Sequence, residues 1–336
     1  MLIINGLYGE GGGQILRTGV ALSALTKTPI RIINIRKKRQ NPGLRAQHIS
    51  AINAVGKLCE ADIRGLNIGS CEIEFEPKEI SDKKFTLDIG TAGSIPLVLQ
   101  ALMLAAINNN VELEITGGTD VRFAPSIDYV KFVTLQILKT IGLNAEIEIL
   151  KRGYYPKGCG KVRLMIKKVN KFSPVDFTEK CKISEIYGIS HASADLKSRN
   201  VAGRQKNAAE KILRGENLCD KTDTINIEEE YANTFSTGSG ITLVARTEKS
   251  VIGACSLGEV NKKAEDVGIE CAKNLINEIR NDAGVDSHTS DQIIPYIALA
   301  KGKAKISTTM HAMTNIYTVN LFGFNVKERD GVVECE

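Results

Sequence analysis

Residues 11–25 read GGGQILRTGVALSAL, and residues 91–107 read TAGSIPLVLQALMLAAI. Each passes from a glycine-bearing turn into an apolar run with i, i+3, i+4 spacing, which predicts helices over 15–25 and 95–107. The segments beyond these helices recur as well. The first helix leads to a strand over 30–35, a proline-containing loop at 40–43, a helix over about 45–59 and a strand over 71–75. The second leads to a strand over 111–115, the loop GGTDVRFAP, a helix over 126–141 and strands near 146–150 and 161–166. A third, shorter copy closes the chain: Asp291 and Gln292 open a helix to about 300, a strand covers 303–307, a loop carries His311, and a helix lies near 314–322. Pro42 and Pro125 stand just ahead of their helices, as helix-entry residues do. Three such units, each too small to bury a face alone, predict an α/β (α+β) fold of repeated helix–strand units around a pseudo-threefold core.

Residues 181–280 interrupt the repeats. They predict strands over 183–189, 224–229, 241–246 and 251–256, with helices over 201–213 and 261–280. That makes a small α/β domain inserted between copies two and three, leaving 1–180 and 281–336 as the repeat domain. Its order resembles a thioredoxin-like layout without the redox cysteines.

The chain has 336 residues and a net charge of +5, with 43% hydrophobic and 25% charged residues. This is ordinary globular composition. No apolar run approaches a membrane span, and the first 13 residues do not read as a signal peptide. The eight cysteines include no Cys-x-x-Cys pair, so they read mostly as reduced, small core residues of a cytoplasmic protein. Charge is uneven: 181–280 hold 14 Lys+Arg against 15 Asp+Glu, whereas Arg36, Lys37, Lys38, Arg39 and Arg45 cluster downstream of Arg17. Such a run is a solvated surface or a seat for polyphosphate or an RNA backbone.

The run GEGGGQ at 9–14 enters a helix and offers amides to an anion, but no Gly-Lys-Ser/Thr comes after it. Histidine occurs four times. His191 falls in a strand of the insert and reads as structural. His48 lies on the second helix, and His288 just ahead of the third copy. His311 sits past a strand end, at the loop position equivalent to 36–43 and 118–124. No catalytic triad or zinc spacing accompanies it.

Taken together, GEGGGQILR (9–17), IRKKRQNPGLRAQH (35–48), GTAGSIPLVLQ (90–100), GGTDVRFAPS (117–126), GYYPKGCG (153–160), SDQ (290–292) and MHAMTNI (310–316) resemble the signature segments of RNA 3′-terminal phosphate cyclases. The resemblance implies repeats similar to the C-terminal domain of bacterial translation initiation factor 3, with a thioredoxin-like insert. It implies ATP as substrate, a divalent cation (Mg or Mn), and RNA with a 3′-phosphate end as partner, in a cytoplasmic enzyme that needs no membrane and is compatible with a homo-oligomer. By match of position it implies His311 as the nucleophile that carries AMP, and Glu10 as metal ligand. Gln100, Pro125, His288, Asp291 and Gln292 are implied around the nucleotide; Arg17, Arg36, Arg39 and Gln47 near the triphosphate or the RNA end. At 288 the bacterial enzymes commonly carry a tyrosine against adenine, so the histidine is a departure.

Three other readings compete. Relatives that act in ribosome assembly lack the histidine. Carboxyvinyl transferases share a similar repeat architecture, and a plain RNA-binding module would leave the cleft residues incidental.

Overall fold

The computed structural model describes residues 1–9, 12–90, 92–179, 181–216, 218 and 225–336. The first copy runs β1 (Leu2–Asn5), α1 (Gln14–Thr26), β2 (Ile30–Ile33), α2 (Ala46–Cys59), β3 (Asp62–Arg64) and β4 (Ile73–Glu76). Its sheet has the order β1-β2-β4-β3, with β1 and β2 parallel and the other pairs antiparallel. The second copy runs β5 (Lys83–Asp88), α3 (Ile95–Ala105), β6 (Val111–Gly117), α4 (Ile127–Tyr129), a π-helical turn (Val130–Thr134), α5 (Leu135–Ile141), β7 (Asn144–Lys151) and β8 (Gly160–Lys167). Its order is β5-β6-β8-β7, again with one parallel and two antiparallel pairings.

The third copy opens with β9 (Asp176–Phe177), and the inserted segment then intervenes. That segment comprises β10 (Ile183–Ser193), a 3-10 turn (Ala194–Arg199), α6 (Val201–Arg214), β11 (Ile225–Ala232), β12 (Ser239–Thr247), β13 (Val251–Leu257) and α7 (Ala264–Arg280). It forms its own sheet, β11-β10-β12-β13. The chain resumes with α8 (Ser287–Gln292), α9 (Ile294–Ala300), β14 (Lys303–Lys305), α10 (Met310–Leu321), β15 (Val326–Arg329) and β16 (Val332–Cys335). The third sheet is β9-β14-β16-β15, with the same pairing senses as the other two.

The third copy is therefore complete rather than shorter. Its first strand stands ahead of the insertion, and two residues with one buried side chain carry no periodicity to read. The closing hairpin turns at Asp330-Gly331, both at positive φ, as a two-residue hairpin turn requires.

Helices join the copies. α3 is apolar almost all round; it packs against α1 and α2, and α1 also meets α10. One core draws on all three copies and takes in Val244 and Val251 of the insert, while the insert keeps a second cluster under its own sheet.

Three expectations need correction. α10 begins at Met310, because Thr309 Oγ1 accepts the Ala312 N–H, so His311 stands in a helical first turn and not in a loop. α8 begins at Ser287, capped by Asp286, so Asp291 and Gln292 end a helix instead of opening one, and His288 lies within it. Of the described cysteines, all free, only Cys59, Cys271 and Cys335 are buried, and Cys71 and Cys159 are exposed. No helix among the described residues is long and apolar enough to cross a membrane.

Candidate active site

The glycine-rich turn lies against the start of α10. Gly9 holds φ +63°, and a Cβ there would stand 2.4 Å from Thr314 Oγ1. At Gly12 a Cβ position lies 3.8 Å from His311 Cε1 and 3.7 Å from Arg39 Nη2, so the imidazole and that guanidinium face one point above the turn. His311 itself is exposed. At Gly13 a Cβ would stand 2.5 Å from His48 Nε2 and 3.2 Å from Arg17 Nη1, which leaves no room for a side chain. Gly13 caps α1 without a side-chain hydrogen bond, and the amides and dipole of this first turn suit an anion. Glu10 lies outside the described residues.

Two cations and a neutral ring back this turn. Arg17 donates from Nη2 to Gln14 Oε1 (2.6 Å) and from Nε to Gln100 Oε1 (3.3 Å). Burial pulls its guanidinium down to about 10, partly offset by Asp291, so it stays charged at neutral pH. His48 accepts the Arg45 N–H at Nδ1 (3.0 Å), while burial and then Arg17, Arg36 and Arg45 push it down to about 3. It remains a neutral imidazole. The segment 34–40, with its four basic residues, is a run of turns and bends. Arg36 stands at φ +52° and its Nη1 donates to the carbonyls of Asn41 and Gly43, both at 2.9 Å. It staples the loop. Gln47 is exposed in the first turn of α2.

The opposite wall comes from α3 and α8. Gln100 and Gln292 together line two small adjoining hollows floored by Tyr296. Asn315 of α10 donates to the Asp291 carbonyl and accepts from Thr18 Oγ1 (2.7 Å), tying α8, α10 and α1 at this point. Pro125 is buried just ahead of the α4 cap Ser126. His288 is exposed, edge-on to Tyr129 at 5.7 Å between ring centroids.

Asp291 is the strained charge of the site. Burial raises its carboxyl from 3.8 to about 6, against the opposing pull of His311, His288 and Arg17. A carboxyl raised in the folded state weakens folding fully above about pH 6, less as the pH falls through that value, and not at all below its unfolded pKa. Asp291→Asn is therefore expected to stabilise the fold by about 1–2 kcal/mol at pH 8, after discounting for the solvent the group still meets. Thermal unfolding at pH 8 and pH 5 checks this: the advantage shrinks at the lower pH, and an equal advantage at both refutes it.

The sequence reading missed the residues that hold this wall. Asp286, buried, accepts from Tyr129 Oη, from the α8 amide of Thr289 and from the Gly253 N–H of the insert. Beside it lies a buried charge network. The Arg152 guanidinium, only 2% exposed, donates to both oxygens of Asp128 (2.7 and 3.2 Å) and both of Glu230 (2.9 and 2.8 Å), and stands 3.5 Å from Asp120. His191 Nε2 is 3.4 Å from Asp120 and 3.6 Å from Asp128, and Tyr154 Oη meets its Nδ1 at 2.7 Å. Among the described residues, Asp120, Asp128 and His191 alone have the spacing of a cation site. Arg152 already supplies the cation there, so this cluster does not fit a catalytic metal. No local signal marked them: Asp120 lies in the polar loop GGTDVRFAP, Arg152 follows Lys151, and Glu230 ends an acidic run.

Residues 8–327 match the family model of RNA 3′-terminal phosphate cyclase. The chain is 44% identical over 336 residues to the RNA 3′-terminal phosphate cyclase of Pyrococcus furiosus, covering 99% of this chain and 96% of that one. It is 45% identical over 329 residues to that of Caldivirga maquilingensis (96% and 92%) and 43% over 330 to that of Ignicoccus hospitalis (96% and 92%).

Proposed function

The chain belongs to the RNA 3′-terminal phosphate cyclase family, and on that premise we propose that it converts an RNA 3′-phosphate to a 2′,3′-cyclic phosphate at the expense of ATP, through a histidine–AMP intermediate. The observation that carries the reading is the meeting of His311 and Arg39 over Gly12, where the first turns of α1 and α10 come together.

The imidazole of His311 attacks the α-phosphorus. A P–N bond forms, the α–β bridging P–O bond breaks, and pyrophosphate departs with that electron pair. Arg17, Arg39 and the α1 amides stabilise charge on the phosphates, and Arg36 holds the loop that presents Arg39. Gln100, Asp291 and Gln292 seat the nucleotide, with Pro125 and His288 at the adenine. Gln47 lies toward the RNA end. A divalent cation, with Glu10 as its ligand, would neutralise the triphosphate when bound.

An oxygen of the RNA 3′-phosphate then takes the AMP, breaking the P–N bond and freeing His311. Finally the 2′-oxygen attacks the terminal phosphorus and loses its proton, and AMP leaves. This step is intramolecular, so positioning contributes most of its acceleration. Residues 181–280 act as an inserted domain that buttresses the nucleotide wall.

The test is an oligoribonucleotide with a 3′-phosphate, incubated with ATP and Mg or Mn. Its end is expected to become phosphatase-resistant, with one AMP and one pyrophosphate released per end. A matched oligomer with a terminal 2′-deoxyribose is expected to stall as the adenylate. An end that stays phosphatase-sensitive with ATP present refutes the reading.

A further inference from the structure

We propose that the hollow between the end of β7 and the turns after β10 and β11 is a second RNA subsite, which holds one nucleotide of the strand upstream of the reacting end. The proposal rests on the RNA reading above. The hollow has a volume of about 440 Å³, within the range of small-ligand sites, and Lys151, Asp195, Asn233, Phe235 and Thr237 line it.

Its chemistry suits a nucleotide. Phe235 is 57% exposed, in a chain with 17 aromatic residues in all, and Lys151 Nζ rests 3.8 Å from its ring centroid. A base of any identity stacks on the ring face that the ammonium leaves clear, and the ammonium itself meets a phosphodiester. Thr237 donates to Asp195 Oδ2 (2.6 Å), which holds a carboxylate ready to accept from a base amino group, and Asn233 can both donate and accept.

The rim repeats the pattern. The Lys157 N–H donates to Ser236 Oγ (3.0 Å), which fixes the 153–160 turn beside Phe235. That turn carries Tyr155, 75% exposed. On the other side Lys197 Nζ lies 6.0 Å from the Tyr231 ring. The even balance of acid and base over 181–280 concealed this grouping, because Lys151, Tyr155 and Lys157 belong to the second copy and only the fold brings them to the insert.

The hollow also connects to the cleft wall. Lys151 adjoins Arg152 of the buried network, and the Tyr154 backbone pairs with Asp120 in the loop that leads to Pro125.

The experiment measures KM for 3′-phosphorylated oligoribonucleotides from a dinucleotide up to about 16 nucleotides, a span that covers known single-strand site sizes. For the wild type, KM is expected to fall once the strand is long enough to reach Phe235. In Phe235→Ala that gain is expected to shrink by about 5- to 150-fold, the range for one lost base stack, with dinucleotide turnover and AMP attachment to protein unchanged. Phe235→Trp should restore the gain. Lys151→Gln, independently, should flatten the salt dependence for long strands only, by about 0.7 in log–log slope. A length gain that persists in Phe235→Ala, or a loss equal for short and long strands, overturns the subsite. Failure of the wild type to cyclise any strand counts instead against the function it rests on.

Discussion

His311→Ala is expected to abolish transfer of label from α-labelled ATP to the protein and to lower cyclisation by about four orders of magnitude or more, as loss of a covalent nucleophile does elsewhere. The side chain is exposed, and the cap of α10 is made by Thr309, so removing the ring leaves the helix and its packing intact. Loss of activity would therefore report on chemistry rather than folding. A sharper arm uses RNA whose 3′-phosphate is already joined to AMP. The last step needs no nucleophile from the protein, so His311→Ala should still cyclise this substrate. Label retained by the variant sinks the assignment. Loss of both reactions in a folded variant places His311 in positioning rather than attack.

Much of this was legible in the chain, and the limits have physical causes. The turn-to-helix passages at 11–25 and 91–107 exposed the repeat because α1 is long and amphipathic and α3 is apolar but for Gln100. β1, β3, β5, β9, β15 and β16 escape the sequence pattern. All but β5 run two to four residues, and β5 alternates without a strong apolar face. The third copy therefore looked truncated although its strand order equals the others.

For the site, the basic run at 36–39 was visible as charge, but its division of labour was not. Arg36 turns back onto loop carbonyls, a consequence of its left-handed backbone, while Arg39 faces Gly12. His48 was ambiguous for a similar reason. Its neutrality comes from burial beside three arginines that are up to 31 residues away in sequence. Asp286 and Arg152 escaped notice because each joins elements more than twenty residues apart.

Arg152 carries the second large expectation. Arg152→Met, similar in length and uncharged, is expected to destabilise the fold by about 3–5 kcal/mol, the cost of leaving buried charge without its partner. Asp128 is fully enclosed, and Glu230 is half-buried with both oxygens on the guanidinium. Burial pushes the Asp120 carboxyl up, but His191, Arg152 and Thr119 hold it down to about 2. A depressed carboxyl adds stability above its unfolded pKa and loses it as the pH falls through the folded one. The wild-type network should thus persist from neutral pH down to about pH 3. Denaturant unfolding at pH 7 measures the loss, and the double variant Asp128→Asn/Arg152→Met should recover part of it, because one orphaned charge has gone. If the two losses simply add, the groups do not interact as the distances require. The network joins β10 and β11 of the insert to the loop ahead of α4, so its rupture should also raise the KM for ATP more than it lowers kcat. A fall in kcat alone would mean that this wall does not shape the nucleotide pocket.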